Sequence, residues 1–179
     1  MEVPQRQIRA VYTDRTITVY QAYSPEIALP AVRAGRFVPP FRIGRMTWIK
    51  PSFLWMMYRS GWATKPGQEH VLAVELTREG FDAALSRACP SSYDRSSDET
   101  RQEWSRRLKQ SPVRVQWDPE RSLRLAPLAY RSLQLGLAGE AARQYAEEWT
   151  VAITDVTALA AEIARTRDPA LLPAERPYC

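Results

Sequence analysis

The feature that most constrains the fold is a dense aromatic segment, residues 48–62. Pro51 can occupy the first turn of a helix here, and Gly61 can end that helix in a left-handed conformation. Phe53, Met56 and Tyr58 lie between these two residues and would cover more than one helix face. A helix that is apolar on several faces must be buried. The rest of the chain is therefore expected to pack around it.

The order of the predicted elements indicates an α+β domain with a mixed, mainly antiparallel sheet. Strands and helices do not alternate as βαβ units, and no linker divides the chain, so we expect one domain over residues 1–167 and a proline-rich tail over residues 168–179. Residues 133–137 fit a strand or a helix almost equally well. Predicted strands cover residues 7–13 and 16–21, which form a hairpin, and residues 70–76, 113–117 and 149–156; predicted helices cover residues 25–34, 51–60, 77–88, 97–110, 139–148 and 158–167.

Composition excludes several classes of site. The 179 residues include one histidine, His70, and two cysteines, Cys89 and Cys179. A thiolate cluster or a site with two imidazoles cannot be assembled, so we expect no metal cofactor. No apolar run is long enough for a membrane helix, and the first ten residues do not resemble a signal peptide. These features predict a soluble, cytoplasmic protein without a membrane partner.

The charge balance favours a phosphate-bearing partner. Arginine and lysine total 25 against 20 acidic residues, for a net charge of +5. Nearly all the cations are arginines, whose planar guanidinium groups suit phosphate, although a GC-rich genome would produce the same bias. A nucleotide, RNA or DNA is the expected kind of partner.

Two short segments are candidate binding sites. Tyr20, Gln21 and Tyr23 lie at a strand end that leads into a helix, where they could line a ligand edge or simply pack the sheet. Arg45, Lys50 and Ser52 surround the entrance of the aromatic helix, a position that attracts anions when its backbone N–H groups are free. The alternative for that entrance is an ordinary solvated helix start.

The remaining candidates are less specific. Trp55, Tyr58, Arg59 and Trp62 recur at helical spacing and could form either core or a base-stacking surface. Glu148, with Glu147 beside it, lies before a predicted strand and could face a cleft or solvent. Glu75, within an apolar strand, is an alternative buried acid. His70 lies at the start of a predicted strand, where a histidine more often has a structural role than a catalytic one.

Five sequence runs resemble the family named domain of unknown function 4291. They span nearly the whole chain, and the central run is the most specific. The runs are residues 6–12 (RQIRAVY), 20–23 (YQAY), 46–62 (MTWIKPSFLWMMYRSGW), 131–137 (RSLQLGL) and 147–149 (EEW).

A more distant resemblance is to ADP-ribosyltransferase-type domains. It consists of residues 19–24 (VYQAYS), a helix, and then residues 34–37 (AGRF). The resemblance implies a split sheet that holds NAD, with a late glutamate, here Glu148, supporting ribosyl transfer. Gln21 stands where those domains usually carry an imidazole, and Arg9 could serve in its place.

This resemblance also implies roles for the other candidates. Catalysis would involve Glu148, Tyr20 and Gln21, and NAD would be bound by Arg9, Tyr23 or Tyr58, Arg45, Lys50 and Ser52. The acceptor would be a nucleic acid or a small molecule. The alternative function is a non-catalytic RNA-binding domain that uses arginines for phosphate and the Trp/Tyr cluster for stacking.

Overall fold

The computed structural model describes residues 3–179 and confirms the α+β class. Within that range it has six α-helices and nine short or medium strands, and residues Tyr145–Trp149 form a π-helical turn. The helices are α1 (Pro25–Ala34), α2 (Phe53–Ser60), α3 (Arg78–Ser86), α4 (Arg101–Gln110), α5 (Gly139–Gln144) and α6 (Thr157–Thr166). The strands are β1 (Arg9–Ala10), β2 (Thr16–Tyr23), β3 (Thr47–Ile49), β4 (His70–Thr77), β5 (Cys89–Pro90), β6 (Val113–Arg121), β7 (Pro127–Leu137), β8 (Thr150–Asp155) and β9 (Arg176–Pro177).

Two open sheets form the framework. One has the strand order β2-β4-β8 and is antiparallel throughout, whereas the other has the order β3-β7-β6-β5 with only the short β5 parallel. The sheets meet where β2 and β3 lie side by side, and one backbone bridge joins them, from the Tyr20 N–H to the Lys50 carbonyl at 2.7 Å. Past this bridge, side chains rather than a strand ladder connect β2 to β3.

The aromatic helix α2 is buried, as its composition predicts. Phe53, Met56 and Met57 are at most 1% exposed and form a second core cluster with residues of α6. Ser52 caps the helix by accepting a hydrogen bond from the Trp55 N–H, and Gly61 ends it with a left-handed φ of 59°. The end at Gly61 is confirmed, but Pro51 lies before the helix and not in its first turn, because Ser52 supplies the cap.

Several local predictions need correction. Helix α4 begins at Arg101 and not at residue 97, because Thr100 and Glu103 form its capping box and Ser96 bonds to Asp94 in the preceding turn. The alternative left open for residues 133–137 is decided in favour of a strand, since they belong to β7, which pairs with both β6 and β3. The side-by-side pairing explains why strand prevails over helix there.

The predicted hairpin at the N-terminus is largely wrong. Its turn exists, with a bridge between Tyr12 and Ile17, but β1 is two residues long and pairs with β9 near the C-terminus. Strand β2 instead pairs with β4 along all eight of its residues. The turn at Asp14-Arg15 lacks the glycine that favours a tight hairpin, so long-range pairing decides the register.

The tail packs against the domain. Beyond the β1–β9 pairing, the Tyr178 hydroxyl donates to Asp82, and the Tyr178 ring lies edge-on to Phe81. Among residues 3–179, no helix combines the length and apolar character required to cross a membrane.

Candidate functional site

A groove runs along the junction between the two sheets. It consists of two adjoining concavities of about 520 and 370 Å³, which share Tyr23, Met46 and Thr47. The smaller one continues past Gln21 and Lys50 to Arg59, and the larger one is bounded by Glu26, Phe41, Arg42 and Arg45. Together they have the size of a small-molecule site.

The floor of the groove is a chain of uncharged hydrogen-bonding groups. Gln21, 3% exposed, donates through Nε2 to Thr47 Oγ1 at 2.6 Å and to the Trp48 carbonyl at 3.0 Å. Its Oε1 accepts a hydrogen bond from the Tyr145 hydroxyl, and the Tyr23 hydroxyl lies 3.0 Å from Thr47 Oγ1. The amide is thus bonded at both ends and holds one orientation.

Burial keeps the two tyrosines of this floor protonated. It raises the pKa of Tyr23 to about 12 and raises the pKa of the fully buried Tyr145 well above its usual value. Both phenols therefore remain neutral near pH 7 and can donate hydrogen bonds. The groove floor therefore consists of polar groups that carry no net charge.

The walls of the groove are basic. Arg42 and Arg45 line the larger concavity, and Arg59 and Lys50 line the smaller one. Glu26 is an acid that borders the larger concavity. The guanidinium groups stay charged, as arginine does in proteins generally. Burial, followed by repulsion from Arg59, lowers the pKa of Lys50 to about 7, while Asp118 opposes that shift.

The family comparison agrees with the resemblance of the sequence runs. A family model, described as a domain of unknown function (DUF4291), matches residues 7–178. The chain belongs to the DUF4291 family. A comparison with curated proteins finds no match. The description of DUF4291 assigns no activity, so function has to be argued from the groove.

Four of the predicted site residues of this DUF4291 protein meet in the groove: Gln21, Tyr23, Arg45 and Lys50. Tyr20 is their neighbour in sequence, but its ring faces the second core cluster, 5.4 Å from the Phe53 ring in an edge-on arrangement. The alternation of side chains along a strand explains this difference, because successive residues face opposite sides.

Arg9 and Ser52 belong to another polar cluster, around the start of α2. Ser52 Oγ donates to Glu120 Oε1 at 2.8 Å, and Arg9 donates to the Glu175 carbonyl at 3.3 Å. The Phe53 N–H donates to Glu175 Oε1 at 2.7 Å, so a carboxylate from the tail occupies the start of the helix. These contacts occupy the Ser52 hydroxyl and the N–H at the start of the helix, a position that the sequence predicted to attract anions.

The two acids of this cluster were not predicted as site residues. Burial raises the pKa of Glu120, and burial together with the nearby Glu120 raises the pKa of Glu175 to about 8. Glu175 keeps partial exposure as a residue, but its carboxyl group faces inward against Phe53. No local pattern marks either acid, since only the docking of the tail brings them together.

Glu148 lies in the π-helical turn and is about half exposed. Arg143 bonds to Glu140 and also to Glu147 at 3.0 Å and Glu148 at 2.8 Å. Glu148 does not line either concavity. Its turn nevertheless reaches the groove floor, because Tyr145, three residues earlier, bonds to Gln21.

The other two candidates make local contacts. Glu75 Oε1 accepts a hydrogen bond from Thr16 at 2.7 Å, and His70 Nδ1 lies 2.7 Å from Asp155 Oδ2. Both contacts join neighbouring strands of the first sheet. These two side chains therefore have cross-strand partners in the fold.

The aromatic stripe of α2 is partly covered by arginines from other elements. Trp55 is 8% exposed, the Arg121 guanidinium lies 3.5 Å from the Tyr58 ring centre, and Arg167 lies 4.6 Å from that of Trp62. Such stacking is a common cation–π arrangement. A base that stacked on Tyr58 or Trp62 on those faces would have to displace a guanidinium.

Proposed function

We propose that the groove binds a nucleotide of the NAD class and that the protein transfers an ADP-ribosyl group from it. The observation that carries this proposal is the juxtaposition of an amide and hydroxyl floor, Gln21, Tyr23 and Thr47, with the guanidinium groups of Arg45 and Arg59. A dinucleotide needs both kinds of contact. The Tyr23 and Thr47 hydroxyls match ribose hydroxyls, with Gln21 fixing Thr47 from beneath, and the guanidinium groups match the diphosphate.

The charges in the groove favour arginines over Lys50 for phosphate binding. Lys50 carries only part of a positive charge at neutral pH, since its pKa is lowered to about 7. The guanidinium groups of Arg42, Arg45 and Arg59 are positively charged, and each presents several N–H donors. We therefore assign the diphosphate contacts first to these three residues.

NAD, when bound, would supply an ADP-ribosyl group with nicotinamide as the leaving group. A carboxylate near the reacting ribose would stabilise developing positive charge. We propose Glu148 for this role from the resemblance. It lines neither concavity, but its turn reaches the groove floor at Tyr145, and Glu26, which lines the groove, is the competing candidate. The net charge of +5 is consistent with a nucleic-acid acceptor, and a small-molecule acceptor is the alternative.

Binding is tested first, by titrating NAD into the protein and following heat or tryptophan fluorescence, to which Trp48 in the groove contributes. We expect saturable binding that weakens at least about tenfold in Arg45→Gln, the loss of one charge-assisted contact. Arg165→Gln, which changes an exposed arginine paired with Glu162, should bind as the wild type does. Absence of saturable NAD binding would refute the proposal.

Catalysis is tested by measuring nicotinamide release in the wild type, Glu148→Gln and Glu26→Gln, with and without cellular RNA. Loss of release in Glu148→Gln alone supports the assignment. Loss in Glu26→Gln alone transfers the role to the acid in the groove. If neither variant loses activity, carboxylate-supported transfer is wrong. RNA affinity that falls steeply with salt, without NAD binding, would favour the non-catalytic alternative.

A further inference from the structure

We propose that Lys50 is a reactive amine that forms an imine with the aldehyde group of a phosphorylated ligand in the groove. This inference concerns the same groove as the proposed function. It rests on the surroundings of Lys50 and not on NAD binding. It adds a covalent site and a class of ligand.

The geometry separates Lys50 from an ordinary structural lysine. The residue is 7% exposed and follows β3, where its backbone bridges to Tyr20. Its Nζ donates to the Trp48 carbonyl at 3.0 Å and lies 5.5 Å from the Trp55 ring centre. Among residues 3–179, no carboxylate oxygen lies within 4.0 Å of Nζ. Buried lysines usually have such a partner.

The charged groups around Lys50 come from two elements. Arg59 on α2 repels its positive charge, and Asp118 on β6 attracts it. The groove side chains beside it, Gln21 and Tyr23, are uncharged. Burial and Arg59 together prevail and lower the pKa of the amine to about 7.

The free amine is the form that attacks a carbonyl. With a pKa near 7, about half of Lys50 is unprotonated at neutral pH, against less than about 0.1% for a solvated lysine. A desolvated lysine beside another cation is a known arrangement for imine formation. Lys50 also lines the concavity of about 370 Å³, which is the route by which a ligand would approach the amine.

The nearby arginines favour a ligand that carries a phosphate group in addition to its aldehyde. Arg59 lines the same concavity as Lys50, and Arg45 lines the adjoining one. An anionic phosphate held by a guanidinium would place an aldehyde on the same small molecule near Nζ. The Nζ lone pair then forms a bond to the carbonyl carbon. The carbonyl oxygen leaves as water with both amine protons, and a C=N bond results.

The three lysines of the chain provide an internal comparison. Lys65 and Lys109 are exposed, so both serve as solvated controls for Lys50. The protein is incubated with pyridoxal 5′-phosphate as the probe, cyanoborohydride reduces any imine to a stable amine, and peptide mapping by mass spectrometry locates the label. Peptide mapping also distinguishes label on the N-terminal amine from label on the three lysines.

At pH 7 we expect Lys50 to be labelled at least about tenfold faster than Lys65 or Lys109, because it has the larger free-amine fraction. This advantage should fall as pH rises towards 10 and the exposed lysines lose their protons. Pyridoxal, which lacks the phosphate, should label Lys50 more slowly, and Arg59→Gln should reduce the difference between the two probes. Labelling of Lys50 no faster than that of the exposed lysines would overturn the inference.

The outcome can be separated from that of the proposed function by adding NAD as a competitor. Selective labelling that NAD does not suppress supports the reactive lysine and counts against NAD binding in the groove. Saturable NAD binding with unselective labelling supports the proposed function and overturns the reactive lysine. Selective labelling that NAD suppresses supports both.

Discussion

The Tyr145 hydroxyl donates a hydrogen bond to the Gln21 side-chain oxygen, joining the π-helical turn to strand β2 beneath the groove. The two residues are 124 positions apart in the chain, and both are almost completely buried. Thr47 and the Trp48 carbonyl hold the other end of the amide. The position of Gln21 thus depends on three separate segments.

The variant Tyr145→Phe should lower the free energy of unfolding by about 1–3 kcal/mol, since it leaves the buried Gln21 oxygen without a donor. It should also weaken ligand binding in the groove by loosening the amide. Chemical denaturation and NAD titration measure the two effects. The control is Tyr12→Phe, which removes a hydrogen bond to the Pro177 carbonyl in an exposed position. Equal losses in both variants would contradict the proposed role of Tyr145.

The variant Glu175→Gln should flatten the dependence of stability on pH. Because the pKa of Glu175 is raised from 4.5 to about 8 by folding, the folded protein binds the proton more tightly, and stability falls as pH rises between those values. The amide oxygen of glutamine can still accept from the Phe53 N–H.

We therefore expect the advantage of Glu175→Gln over the wild type to grow by more than about 1 kcal/mol between pH 5 and pH 8. Urea denaturation at several pH values measures it. Glu162→Gln on α6, which removes an exposed carboxylate, is the control. Parallel curves for Glu175→Gln and the wild type would contradict the raised pKa.

The variant Ser52→Ala should destabilise the protein by about 1–2 kcal/mol without changing ligand binding in the groove. It removes the cap of α2 and one hydrogen-bond donor to the buried Glu120. Thermal unfolding and NAD titration measure the two properties. A loss of NAD affinity in a folded Ser52→Ala protein would instead support the role that the sequence predicted for Ser52 in cofactor binding.

The variant Gly80→Ala tests the packing of the π-helical turn on α3. A Cβ at position 80 would overlap Cγ of the Trp149 indole, so the ring would have to move. We expect a loss of more than about 1 kcal/mol, as overpacking of a core commonly causes. Without this contact, alanine would stabilise the helix by about 1 kcal/mol, so the sign of the change in unfolding free energy decides the question.

Helix ends were predictable because the signals that define them lie within a few residues. Gly61 ends α2 as predicted, and α1 covers the predicted residues 25–34, ending at Gly35 with a left-handed φ of 67°. Each relies on hydrogen bonds or backbone angles that neighbouring residues supply. The sequence placed Gln21 and Tyr23 at a strand end and Arg45 and Lys50 near a helix entrance, and the structure brings the four together in the groove. Their role in binding stays a prediction.

Pairings between distant segments could not be read in the same way. Strand β1 pairs with β9 from the tail, although its sequence suggested a hairpin with β2. Hydrophobic alternation identifies a strand but not its partner, since any strand with a matching face can satisfy the same backbone groups. The π-helical turn at Tyr145–Trp149 and its bond to Gln21 were missed for the same reason.

The sequence by itself therefore determined the α+β class, the extent of α1 and the end of α2, because composition, capping and periodicity are local properties. Its charge balance predicts a phosphate-bearing ligand. Only the tertiary structure decided which polar groups share an environment. It places Lys50 in the groove beside Arg59, and it encloses Glu175 against the start of α2. The physical reason is desolvation, which depends on what distant parts of the chain remove from water and which alone changes how these groups hold their protons.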